Sequence, residues 1–364
     1  MMKITLVAGA RPNFMKIAPI IRAIEKAKAN GQPMEYRIVH TGQHFDHKMS
    51  GDFFEQLGIP EPDINLGAGG GTQAEQTAAV MVRFEREIEA NMPDVVLVVG
   101  DVTSTMACTI AAKKLCVPVV HVEAGIRSGD MMMPEEINRI VTDSICDQFF
   151  TTTRQAGDRL RKYGVETKRI HFVGNTMIDT LYQNIDRLVK PLIWDQAGLE
   201  ERKYFLLTLH RPSNVDNPEK LIKYLEALRT GIGNKKIIFP VHPRTRKVLD
   251  DIDYHDQHLI QIDPLGYLEF IYLLKFSKAV ITDSGGITEE ATVLNIPCLT
   301  LRDTTERPET VEIGSNELVG SDPNNLVYYL EKLAQGRWKQ GAAPEFWDGR
   351  TSERIVDILI RVYK

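Results

Sequence analysis

The sequence predicts an α/β protein of two Rossmann-like domains, each built on a parallel sheet, facing a common cleft. Three observations lead there. Apolar runs of strand length alternate with longer segments of helical spacing, the pattern of βαβ units whose sheet is covered on both faces. The rhythm lapses near residue 180 and then restarts. A length of 364 residues also exceeds what one hydrophobic core usually organises.

The first domain, 1–180, reads as "KITLVAG" then a helix over 13–29, "YRIVHTG" then 73–90, "DVVLVVGD" then 103–115, "VPVVHVEAG" then 134–147, and "QFFTTT" then 154–163, closed by "KRIHFVGN". The second, 181–364, opens on the turn-like "KPLIWDQAG". It resumes with "KYFLLTLH", "KKIIFPVHP", "HLIQIDP", "KAVITDSGG", "IPCLTLRD" and "NELVG". The terminal "TSERIVDILIRVYK" has helical apolar spacing and a Ser/Thr start, so the helix 351–364 is expected on either domain, including back on the first. "GAGGG" at 67–71 reads as a flexible loop.

Composition narrows the partners. A net charge of -5 argues against a dedicated nucleic-acid binder, and no apolar run reaches membrane-spanning length, so a cytoplasmic protein is expected. The four cysteines, Cys108, Cys116, Cys146 and Cys298, lie in apolar stretches without zinc-site spacing and read as reduced core residues. His44 and His47 of "HFDH" have no further ligands nearby, and no metal is expected.

In open parallel sheets ligands bind beyond the carboxyl ends of strands, and the unusual polar groups of this chain cluster there: "GARPNFMK", "GDVTS", "HVEAGIRSGD", "LHRPSN", "VHPRTR" and "TDSGG". In "TDSGGITEEA", Ser284, Gly285 and Gly286 would bring backbone N–H groups of a helix start to a phosphate. A carboxylate one turn on, Glu290 or Glu289, would accept hydrogen bonds from ribose; the competing reading has both acids merely complementing the helix dipole. Asp101, Glu123, Glu135 and Glu136 follow the third and fourth strands, where mutual perturbation would divide proton donor from acceptor. Arg11, Lys16, Arg127 and Arg139 accompany them. His210, Arg211, His242, Arg244, Arg302 and Arg307 would neutralise a diphosphate, and Phe270 of "PLGYLEF" would stack on a base or belong to a helix core.

Taken in order, "GARPNFMK", "TGQH", "HVEAGIRSGD...MPEEINR", "LHR", "TDSGGITEEA" and "LRDTTERPE" resemble the non-hydrolysing UDP-N-acetylglucosamine 2-epimerase family, over almost the whole chain. The resemblance implies the two-domain fold called GT-B and a homodimer. It implies interconversion of UDP-N-acetylglucosamine and UDP-N-acetylmannosamine by anti elimination of UDP to 2-acetamidoglucal and re-addition, with no cofactor. Its catalytic acids match Asp101, Glu123 and Glu135, its histidine His210, its N-terminal basic pair Arg11 and Lys16, and its nucleotide contacts Arg11, Phe270, Ser284, Gly285, Gly286 and Glu290.

This chain departs from many bacterial relatives in carrying Asn13 where they have Glu, and in a shorter loop before the paired acids. "HTGQHFD", "FFEQLGIPEPD" and "VHPRTR" also resemble epimerases of UDP-2,3-diacetamido sugars. A glycosyltransferase, a hydrolysing epimerase and a non-catalytic nucleotide-sugar sensor are the other readings. Some relatives bind a second UDP-N-acetylglucosamine as activator; here Gln43 is retained, Asp46 replaces a second glutamine, and the glycine run supplies no cation, so weak activation is expected.

Overall fold

The computed structural model describes residues 1–42, 54, 56–252 and 254–363. The chain divides into two compact units, Met1–Gln183 with Glu345–Lys364, and Asn184–Pro344. The expected boundary at 180 thus moves to Gln183, and the second domain ends at Pro344 rather than at the terminus.

In the first unit, β1 (Met2–Ala8), β2 (Met34–His40), β3 (Ile64–Asn65), β4 (Val95–Val99), β5 (Val119–Val122), β6 (Gln148–Thr151) and β7 (Ile170–Phe172) form one sheet in the order β3-β2-β1-β4-β5-β6-β7. Every pairing is parallel. All five residues of β4 are buried, as a strand covered on both faces requires. Val96, Val98, Phe84, Ala107 and Phe149 lie in the core that the helices close over it. The first helix begins at Arg11, two residues ahead of expectation. Pro12 suits a first turn, and Asn13 folds back to accept from the amides of Gly9 and Ala10 at 3.1 and 2.9 Å.

The second unit repeats the plan with β8 (Tyr204–Thr208), β9 (Lys236–Pro240), β10 (Leu259–Ile262), β11 (Ala279–Thr282), β12 (Cys298–Thr300) and β13 (Asn316–Leu318), again all parallel, in the order β10-β9-β8-β11-β12-β13. Leu207, Tyr224, Phe239, Ile281 and Leu299 sit in its core. In each sheet the order reverses direction beside the first strand, between β1 and β4 and between β8 and β11. These are the switch points where open sheets leave a crevice.

The helix Thr351–Tyr363 is held by the first unit. Its start is capped not by its own Thr or Ser but by buried Asp179, which accepts from the amides of Thr351 (3.0 Å) and Ser352 (2.6 Å) and from the Ser352 hydroxyl (2.7 Å). Cys108, Cys146 and Cys298 are buried, but Cys116 is exposed. It follows the helix Thr103–Lys114 with φ at +60°, so its side chain turns outward while the neighbouring Val117 is buried. The glycine run is a shaped turn: the Ala68 amide donates to Thr41, and Arg83 donates to the carbonyls of Leu66 and Gly67 at 2.6 and 2.5 Å. A cation does reach this loop, from the helix Gln73–Ala90. Gln43, His44, Asp46 and His47 lie outside the described residues. No helix among the described residues is long and apolar enough to cross a membrane.

Candidate functional site

At the switch point of the first sheet, Lys16 and Glu123 form an ion pair at 2.6 Å, with Lys16 12% and Glu123 4% exposed. Both side chains lie against Gly100, whose φ of +69° turns the chain sharply after β4. A methyl group added there would stand 3.0 Å from the Lys16 Nζ and 3.7 Å from Glu123 Oε2. Glycine is therefore required for conformation and for closeness at once. Asp101, the next residue, is partly exposed, pairs with the buried guanidinium of Arg139, and has its backbone carbonyl held by Asn138 Nδ2 at 2.8 Å.

Glu123 takes a φ of +72°, a left-handed backbone that costs a residue with a side chain of order 1–3 kcal/mol. Its amide and that of Ala124 both donate to the Phe150 carbonyl, at 3.0 and 3.1 Å, which holds the turn. The paired acids of the next helix, Pro134–Ile145, part company. Glu136 is buried and clasps the preceding loop, accepting from the amides of Ser128 and Gly129 and from Arg139. Burial pushes its carboxyl up, yet those donors hold it below its ordinary range. Glu135 is half-buried on the same turn. Of the four acids expected to share the chemistry, Glu136 is thus a structural clasp. Arg11 is exposed at the start of its helix.

At the switch point of the second sheet, Asp283 organises the loop after β8. Fully buried, it faces the His210 Nδ1 across 2.7 Å and accepts from the amides of His210 and Arg211 and from Asn214 Nδ2. Burial raises its carboxyl, but His210 and these amides together hold it below the usual carboxylate range. His210 Nδ1 thus faces a carboxylate, and the ring is 44% exposed. The His242 ring lies 6.1 Å away. Its Nδ1 accepts from the Arg244 amide at 3.2 Å, so Nε2 carries the hydrogen; burial, followed by the His210 and Arg244 charges, lowers its pKa.

The stretch after β11 forms the helix Gly285–Val293, with Ser284 as N-cap and its hydroxyl unused for capping. Beyond its chain neighbours and its own helix backbone, no atom of the described residues lies within 4 Å of where a Gly286 side chain would start, so this helix end is open there. Glu289 and Glu290 sit beyond the first turn and are buried, which removes the reading that they merely complement the dipole. Their roles differ. Glu289 pairs with the buried guanidinium of Arg307, so Arg307, expected on the nucleotide, is instead engaged by a carboxylate that burial obliges to find a cation.

Glu290 faces the Tyr267 hydroxyl, and neither its Oε1 nor that hydroxyl completes a well-aligned hydrogen bond among the described residues. Burial pushes the Glu290 carboxyl up to about 8, the nearby Glu289 charge adding and Tyr267 opposing. Tyr267 and Phe270 lie one turn apart on the helix Tyr267–Phe276, which brings half-exposed Phe270 to the same side. Arg302 pairs with Glu306 at 2.6 Å and Arg244 with Asp216 at 2.9 Å, so several expected diphosphate cations already have carboxylate partners.

Sequence reasoning places Asp283 in a strand-end motif but gives it no role; the signal is the position itself, directly after β11. His121 escapes such reasoning because it sits inside an apolar run, and Tyr267 because it opens an apolar helix. Among the described residues no group of three His, Cys, Asp or Glu side chains is arranged to hold a metal ion.

The two parallel-sheet units have solved counterparts. A Methanocaldococcus jannaschii UDP-GlcNAc 2-epimerase, crystallised with UDP-GlcNAc and UDP, superposes with a TM-score of 0.87 at 42% identity, covering 99% of this chain and 100% of that one. Fold and similarity together define a nucleotide-sugar isomerase of GT-B-like architecture. The family model described as UDP-N-acetylglucosamine 2-epimerase matches residues 26–360. The UDP-N-acetylglucosamine 2-epimerase of M. jannaschii is 42% identical over 98% of this chain and 99% of its own. The UDP-2,3-diacetamido-2,3-dideoxy-D-glucuronate 2-epimerase of Pseudomonas aeruginosa is also 42% identical, over 99% of this chain and 100% of its own. The chain belongs to the UDP-N-acetylglucosamine 2-epimerase family.

Proposed function

We propose that this protein interconverts UDP-N-acetylglucosamine and UDP-N-acetylmannosamine without hydrolysis. The C1–O bond breaks with its electron pair leaving on UDP, the C2 proton is removed from the opposite side, and 2-acetamidoglucal forms. UDP then adds back while C2 takes a proton on the other face. The supporting observation is the pair of cation-held carboxylates, Asp101 with Arg139 and Glu123 with Lys16, at the switch point of one sheet.

Asp101, Glu123 and Glu135 share the proton transfers. His210, oriented by Asp283, stabilises the departing diphosphate together with His242, Arg11 and Lys16. Ser284, Gly285 and Gly286 offer amides to the phosphates, Glu290 takes ribose hydroxyls, Phe270 stacks on uracil, and Arg307 acts through Glu289. The proton-moving groups and the basic pair Arg11 and Lys16 come from the first unit, and the remaining UDP-holding groups from the second.

A second reading is favoured by the equal identity to the P. aeruginosa relative: a UDP-2,3-diacetamido glucuronate substrate. Parallel incubations with the two UDP-sugars, resolved by anion exchange and proton NMR, separate them. Epimer forming from UDP-N-acetylglucosamine supports the first reading; epimer from the diacetamido glucuronate alone replaces it. Net release of free sugar would indicate a hydrolase, and transfer to an added acceptor a glycosyltransferase. We further infer a homodimer, which sedimentation would show at twice the chain mass.

A further inference from the structure

His121 is fully buried at the end of β5, directly before the turn that carries Glu123, and no step of the proposed reaction uses it. Its ring spans two loops. Nε2 lies 2.8 Å from the Gly100 carbonyl, which can only accept, so Nε2 carries a hydrogen and donates it. Nδ1 lies 2.7 Å from Asp143 Oδ1. Asp143 in turn accepts from the Gly125 amide at 3.0 Å and from Arg127 Nη1 at 2.6 Å. Burial raises the Asp143 carboxyl, but the His121 bond and charge and the Arg127 guanidinium outweigh it and hold the group below its ordinary range.

The geometry gives this arrangement a purpose. Gly100 precedes Asp101, and its Cα faces the Lys16–Glu123 pair, while Gly125 and Arg127 belong to the turn that follows Glu123. Sheet pairing alone joins the two turns through one bond, from the Gly100 amide to the Val122 carbonyl at 3.0 Å. We propose that His121 is a positioning residue: through the Gly100 carbonyl on one side and Asp143 on the other, it fixes the Asp101 turn against the Glu123 turn. This rests on the epimerase reading and adds the group that sets the spacing of its acids. A buried polar side chain with both ring nitrogens engaged holds its position far better than an apolar one of the same size.

Two substitutions divide the strut in half. Glutamine reaches the Nε2 position and keeps a donor for Gly100, whereas asparagine reaches only the Nδ1 position and keeps the link to Asp143. His121→Asn should lower turnover roughly a hundred-fold, the scale of an ångström-level misplacement of reacting groups, with the dissociation constant for UDP unchanged. His121→Gln should stay within about tenfold of wild type. Asn and Gln variants equally impaired, or an Asn variant with weakened UDP binding, would reduce His121 to core packing and overturn the proposal.

Wild-type failure to turn over would overturn the epimerase reading and this proposal with it. Wild-type activity fully retained in the Asn variant would overturn the strut alone. Should neither variant fold, Asp143→Asn, which weakens the same link that glutamine gives up, decides: turnover lowered by up to about tenfold with intact UDP binding supports the strut, and unchanged turnover or weakened UDP binding refutes it.

Discussion

Glu290→Gln should make the protein less sensitive to alkaline pH. In the folded chain burial carries the carboxyl from its ordinary 4.5 to about 8, so the folded state keeps a proton that the unfolded chain gives up. Unfolding then releases a proton, and stability falls as pH rises from about 4.5 to about 8, levelling off beyond. A displacement of that size corresponds to at most about 5 kcal/mol. Glutamine has nearly the same shape, remains neutral throughout, and has no proton to lose on unfolding.

The assay is urea unfolding of both proteins at about pH 5 and about pH 9, a range chosen to bracket the expected titration. The difference between variant and wild type cancels the other titrating groups, including Asp283 and Asp143, whose carboxyls are lowered and so titrate in acid. The variant should gain on the wild type by a few kcal/mol across that range. Parallel pH profiles would show that Glu290 is ionised in the folded protein and would refute the reasoning from its burial.

Glu135→Gln keeps the shape of its turn but not a titrating group, so turnover should fall roughly a hundred-fold or more while calorimetric UDP affinity stays put; near-normal turnover would remove Glu135 from the proton relay. Asp179→Ala leaves the Thr351 and Ser352 amides without their acceptor and should cost about 2–3 kcal/mol of stability in denaturant, with no change in substrate affinity. Dialysis against a chelator should leave turnover intact, and activity lost and then restored by Mg²⁺ would contradict the metal-free route.

What the sequence makes legible is what local chemistry dictates. Strand and helix periods place both sheets, and the rule that ligands gather beyond strand ends selects Lys16, Asp101, Glu123, His210 and Ser284 from residue type and position alone. Pairing across distance is not legible in this way. Glu289 and Glu290 are adjacent in the chain, yet one meets the Arg307 guanidinium and the other faces the Tyr267 hydroxyl, and nothing local separates them. Glu135 and Glu136 divide in the same way, because the acceptor-hungry loop at Ser128 and Gly129 reaches only the second. Cys116 reads as core because apolar neighbours surround it in sequence, but a single left-handed residue after the helix turns it out. The helix Thr351–Tyr363 finds its host through Asp179, far back in the chain, a contact that no periodicity carries.

The central claim is that C2 loses its proton to the protein while UDP departs and regains one from it afterwards. It is tested most directly by proton NMR of the enzyme turning over UDP-N-acetylglucosamine in D₂O. Deuterium should appear at C2 of both recovered epimers, because each return from the glycal draws on a carboxyl group that has exchanged with solvent. Epimer formed with its C2 proton intact would contradict the account.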